Sequence, residues 1–256
     1  MTNRDTATRP TLFMLHGIGS SGTSWRLQIA RLGGEFTCVA PDLPGYGDAA
    51  DPSGEPSLDR MVEMVAALAP PGPVHIVGVS FGALVALALA RKQPALVRSL
   101  VVADATLGRA TQPPDERRRW LEHRFALAGD LAVRADERAK EIAGPEATAG
   151  ALAEIAANMR RARPAGYRYV AEVIARTDAL PWLGEIRVPA LIVCGEHDGV
   201  VGLALSKTIA QRIPGTRLVT VANAGHAPHI EEPDAFADAV RTFVHGVESA
   251  RPEVQA

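Results

Sequence analysis

Val74-His75-Ile76-Val77-Gly78-Val79-Ser80-Phe81-Gly82-Ala83-Leu84-Val85-Ala86-Leu87-Ala88-Leu89 reads as a short apolar run, a small-residue turn and an apolar stretch of helical length. Within it Gly78 to Gly82 fits G-x-S-x-G, in the strand–turn–helix setting that gives this motif its meaning. Glycines flank the serine because it occupies a strained turn, where neighbouring side chains would collide with the strand and helix packed around it. The serine Oγ then projects from the sheet beside the positive end of a helix dipole, which favours developing negative charge. The helix that follows is apolar nearly all round and is expected to be buried.

Runs of the same strand character recur at 11–16, 36–41, 98–103, 190–195 and 216–222, alternating with helical periods, a pattern that predicts an α/β fold around a mostly parallel sheet. Ser57 is placed to cap a helix whose apolar face is Leu58, Met61, Val62, Val65 and Leu68. From 106 to 180 the strand runs stop. That segment is rich in Ala, Arg and Glu, breaks at Pro113-Pro114, Gly144-Pro145 and Pro164, and reads as a helical cap inserted in the core formed by 1–105 and 181–256. No internal repeat interrupts this plan.

Of 256 residues, 47% are hydrophobic and 22% charged, as in a globular protein with a sizeable core. The 27 Lys+Arg nearly balance 29 Asp+Glu, which disfavours nucleic acid or anionic lipid as a partner. Residues 1–9 lack the apolar stretch of a signal peptide and no apolar run is long enough to span a bilayer, so a cytoplasmic location is expected. Cys38 and Cys194 sit in separate strand-like runs and suit free buried thiols better than a disulfide or a zinc site.

The chain resembles the α/β-hydrolase fold superfamily from about residue 11 to 247. Phe13-Met14-Leu15-His16-Gly17-Ile18-Gly19 looks like its strand and oxyanion loop, and Asp42-Leu43-Pro44-Gly45-Tyr46-Gly47 like its D-x-x-G-x-G turn. Gly195-Glu196-His197-Asp198 is similar to the segment that delivers the triad acid, and Ala224-Gly225-His226 to the one that delivers the histidine. The resemblance implies a triad in the chain order Ser80, Asp198, His226. Ser80 is then the nucleophile, His226 its base, and Asp198 the group that holds the imidazole tautomer, with the N–H groups of Ile18 and Phe81 as the oxyanion hole. Asp104, at the end of its strand, is the rival acid. His16 and His229 are rival bases, His197 abuts Asp198, and Asp42 reads as a turn residue. Fifteen residues precede His16 where relatives have a longer lead, which implies a shortened sheet edge.

A metal is not expected, because His226-x-x-His229 has no accompanying ligand motif. Gly17-Ile18-Gly19-Ser20-Ser21-Gly22 matches G-x-G-x-x-G literally, but no ribose-binding acid follows on the second strand, so no cofactor is expected. A serine at the elbow argues against dehalogenase and epoxide hydrolase chemistry, which needs a carboxylate there. Acyl transfer to water is the favoured reaction, on a small-molecule substrate, with carbon–carbon bond hydrolysis, perhydrolysis and non-catalytic ligand binding as alternatives. Arg163-Pro164-Ala165-Gly166-Tyr167, with Ile213-Pro214-Gly215-Thr216, is similar to 3-oxoadipate enol-lactonases and related esterases. Residues 107–180 hold 13 Lys+Arg against 11 Asp+Glu, a basic balance suited to a carboxylate-bearing substrate. Arg160, Arg161 and Arg163 are the candidate clamps, and Trp120, Phe125, Tyr167, Tyr169 and Trp182 the candidate apolar walls. The oligomeric state is left open.

Overall fold

The computed structural model describes residues 9–250, so the expectation for the N-terminal leader lies, Arg9 apart, outside the described residues. Six strands form one sheet: β1 (Thr11–Leu15), β2 (Thr37–Val39), β3 (Val74–Val79), β4 (Val97–Ala103), β5 (Ala190–Gly195) and β6 (Arg217–Val221). Their order is β2-β1-β3-β4-β5-β6 and every neighbouring pair is parallel. The sheet is shorter at both edges than the apolar runs suggest, and β2 keeps only three residues.

Period-two alternation divides the strands between two cores. Phe13, Leu15, Ile76, Leu100, Val102 and Ile192 face α2 (Leu58–Ala66), α3 (Phe81–Lys92) and α8 (Leu203–Arg212). Leu12, Met14, Val77, Val101, Leu191 and Val193 face α1 (Arg26–Leu32) and α10 (Pro233–Ser249). The amphipathic α2 is capped by Ser57, whose Oγ accepts the Arg60 N–H at 3.2 Å, but it ends before Leu68, which is exposed. By contrast α3 is buried from Phe81 to Ala90, because it packs between the sheet and α2. Both cysteines are free, and Cys38, on the edge strand, is only half-buried.

Four helices intervene between β4 and β5: α4 (Pro114–Asp130), α5 (Ala135–Ile142), α6 (Ala149–Arg160) and α7 (Pro164–Arg176). Proline begins α4 and α7, where a missing N–H is harmless. The short α9 (Pro228–Glu231) leads into α10.

The non-glycine residues with left-handed backbone among those described are Ser80, Asp104 and Asn223 (φ 54°, 43° and 63°), and each follows the C-terminal end of a strand. Strand order reverses between β1 and β3, the crevice where open α/β sheets place their sites. The Ser80 turn is packed from both sides. A Cβ on Gly78 would lie 2.6 Å from Gly82 O, and one on Gly82 would overlap the Leu15 carbonyl. Gly82→Ala is therefore expected to destabilise the protein by about 2 kcal/mol or more, seen as a lower thermal midpoint.

Candidate active site

Ser80, Asp198 and His226 converge at the C-terminal edge of the sheet from three elements far apart in the chain. Ser80 sits between β3 and α3, Asp198 in the loop after β5, and His226 in the loop between β6 and α9. His226 Nδ1 is 3.0 Å from Asp198 Oδ1, so Nδ1 carries the proton that the carboxylate accepts and Nε2 is left as the basic nitrogen. Ser80 and His226 line the same cavity of about 100 Å³. Burial alone would raise the Asp198 carboxyl. The hydrogen bond and charge of His226, then the adjoining Asp104 carboxyl and the Val200 N–H, outweigh it and hold Asp198 at about 2.

The loop Gly17-Ile18-Gly19 runs against the serine: a Cβ on Gly17 would lie 3.2 Å from Ser80 Cβ. Ile18 lines the cavity. Phe81 opens α3, so its N–H is among those that lack an intrahelical acceptor. His16 is neutral and fully committed, with Nε2 accepting the Leu43 N–H and Nδ1 donating to Gly17 O, both at 2.9 Å; its burial pushes it down to about 4. Asp42 holds the opposite side of that loop, its Oδ1 accepting the Gly22 N–H at 2.8 Å. His229 is buried beside Trp25 and pushed down to about 3, and it makes no contact with Asp198. His197 is partly exposed near Glu196.

Of the expected substrate-binding residues, Trp120 lines the cavity, and so does Tyr167. Arg160 does not: it is exposed and pairs with Asp136 at 2.5 Å. Arg161 is exposed, and Arg163 pairs with Asp51 and bonds the Ala49 carbonyl. Trp182 lies away from the cavity under Arg91. The three arginines sit at the end of α6 and in the turn to α7, where spacing alone could not orient them. The arginines that do line the cavity are Arg109, Arg124 and Arg138, with no acidic residue in its wall.

One structural carboxylate had no signal in the sequence. Buried Glu231 accepts N–H bonds from Gly144 (2.6 Å), Gly225 (3.0 Å) and Ala227 (2.9 Å), clasping the His226 loop to the end of α5. The His226 N–H adds a bond to Ile142 O at 2.8 Å. Glu231→Ala strands three buried donors, each worth about 1–3 kcal/mol, and a fall in the urea midpoint is the expected result.

A family model described as alpha/beta hydrolase fold matches residues 10–233. The chain is 32% identical over 249 residues to a pimeloyl-[acyl-carrier protein] methyl ester esterase of Neisseria meningitidis, covering 92% of this chain and 77% of that protein. It is 29% identical to the esterase of the same name from Aromatoleum aromaticum, over 93% of this chain and 99% of that protein. A thermophilic esterase from Thermogutta terrifontis, solved with malate bound, superposes with a TM-score of 0.83 at 25% identity, covering 94% and 92% of the two chains. The enol-lactonase of Burkholderia xenovorans shares the fold, with a TM-score of 0.81 at 23% identity over 94% and 93%. With a parallel sheet, a serine turn at its switch point and a family match over most of its length, the chain belongs to the α/β-hydrolase fold family.

Proposed function

We propose that this enzyme hydrolyses a carboxylic ester or enol-lactone of a small, carboxylate-bearing substrate through an acyl-enzyme on Ser80. The observation that carries the reading is the 3.0 Å bond between His226 Nδ1 and Asp198 Oδ1 beside the cavity that Ser80 enters. His226 Nε2 takes the Ser80 proton as Oγ attacks the acyl carbon, then gives it to the departing alkoxide. The N–H groups of Ile18 and Phe81 receive the carbonyl oxygen as it gains charge, in a position fixed before reaction. Water activated by the same nitrogen then releases the acid and restores Ser80. Residues 106–180 serve as the cap, since Trp120, Arg124, Arg138, Met159 and Tyr167 all reach the cavity from its helices.

Arg109 and Arg124 support an anionic substrate. Their guanidinium carbons lie 5.0 and 5.1 Å from the Trp120 ring centroid, and Arg124 also donates to Tyr167 Oη at 3.1 Å. The Nε of each is buried without a hydrogen-bond partner, and among the described residues neither forms an ion pair with a carboxylate. Burial, then the charge of Arg124, lowers the Arg109 guanidinium from its ordinary value. Two cations held together with no carboxylate in ion-pair contact, in a cavity wall without acids, form a receptor for a carboxylate. The esterase from Thermogutta terrifontis, solved with malate bound, accords with a site that receives a carboxylate.

Wild type is expected to hydrolyse p-nitrophenyl butyrate, and Ser80→Ala to lose nearly all of that rate. Equal rates would remove Ser80 as the nucleophile, and ligand retention without turnover would mark a binding protein. For p-nitrophenyl hydrogen glutarate, Arg109→Gln or Arg124→Gln should raise KM about tenfold or more, with a far smaller change for the neutral butyrate.

A further inference from the structure

Behind His226 two buried carboxyl groups meet. Asp104 closes β4 in a left-handed conformation, wholly shielded from solvent, with Oδ1 accepting the Gly195 N–H at 3.0 Å. Asp198 Oδ1 is occupied by His226 and by the N–H groups of Val200 (2.8 Å) and Val201 (3.3 Å). The second oxygen of each carboxyl, Asp104 Oδ2 and Asp198 Oδ2, is buried and has no donor. A ligand atom of Asp104, one of Asp198 and the Cys194 thiol lie within 4.8 Å of one another.

Two ionised carboxylates cannot stay this close in a dry interior, and two orphaned acceptors cannot satisfy each other. One proton between them resolves both problems. The groups facing Asp104 are Cys194 on β5 and Asp198 in the loop after it, with His226 beyond Asp198. Burial, then the charge of Asp198, raises Asp104 well above the usual carboxylate range, while Asp198 is held low. The Cys194 thiol is pushed up to about 12 by burial and the neighbouring Asp104, so it stays protonated.

We propose that Asp104 carries a proton at neutral pH and donates it to Asp198 Oδ2, acting as a positioning residue for the His226–Asp198 pair. Asp104 is then a neutral donor and not an alternative triad acid. Its bond fixes the plane of the Asp198 carboxylate with Oδ1 toward His226, and it draws charge from that carboxylate, weakening the hydrogen bond that His226 Nδ1–H donates to it. The effect on turnover rests on the triad reading above; the proton itself does not.

Asp104→Leu removes the donor and is expected to lower kcat about tenfold and to move the acid limb of the kcat/KM profile upward by about one pH unit, with KM little altered. Asp104→Asn should restore both, since its amide N–H can donate to Asp198 Oδ2 while its carbonyl accepts from Gly195. An asparagine variant as impaired as the leucine one would mean that an ionised Asp104 is required, and would overturn the proposal. Should Asp104→Leu fail to fold, infrared spectroscopy decides: wild type at neutral pH should show a protonated-carboxyl C=O band that Asp104→Asn lacks, and absence of that band refutes the shared proton. A protonated-carboxyl band that appears only after dialysis against EDTA, or activity lost on that dialysis, would put a cation in the proton's place and overturn the proposal. If Ser80→Ala keeps full activity, the triad reading fails and the band still tests this one.

Discussion

Ser80 holds φ 54° and ψ −114° between a strand whose six residues are all buried and a helix buried through Ala90. That left-handed turn lets the chain pass from the middle of the sheet into α3 with a side chain pointing outward. It survives because its surroundings leave no other path: Gly78 lies against the first turn of α3, Gly82 against the end of β1, and Gly17 against the serine itself. Backbone strain of this kind persists only where surrounding packing over-determines it. The crevice at the strand-order reversal, the helix N-terminus and the loop after β1 are all aligned by this one passage.

Around that fixed point the site is held by polar atoms buried at the C-terminal edge of the sheet. Asp42 and the neutral His16 hold the loop after β1, and Glu231 gathers three backbone donors around His226. Satisfied buried networks of this sort rigidify what they enclose. The helices between β4 and β5 are tied to the site by the same means, since Gly144, just past α5, is held by Glu231, and His226 bonds Ile142. The electrostatics of the cavity follow from a contrast. Arginines on the outside of the helices between β4 and β5 pair with carboxylates, as Arg160 pairs with Asp136, whereas Arg109 and Arg124 inside form no ion pair and lie against an indole and a phenol.

Much was legible before folding, and for local reasons. Short apolar runs gave six strands, a capped amphipathic stripe gave α2, and an all-round apolar run gave the buried α3, because each depends on neighbours in the chain. Gly78-Val79-Ser80-Phe81-Gly82 marked the turn, since only glycines tolerate the close approach on either side. The segments carrying Asp198 and His226 were recognisable as strand ends through their resemblance to the family's motifs. Their union through one hydrogen bond at 3.0 Å is a product of the parallel sheet, which brings the ends of β3, β5 and β6 to one edge.

What the sequence by itself determined is therefore the class of fold and the strained serine, written in spacing and residue type, while the order Ser80, Asp198, His226 came as an expectation from the family resemblance. Only the tertiary structure decided which arginines face the cavity, which carboxyl lies beside Asp198 and which carboxylate clasps the histidine loop. Arg109, Arg124, Asp104 and Glu231 stand in unrelated stretches, and nothing local separates Arg124 from Arg160. Their roles come from burial and from the groups they meet across the fold, and desolvation and unpaired polar atoms exist only once the chain has packed.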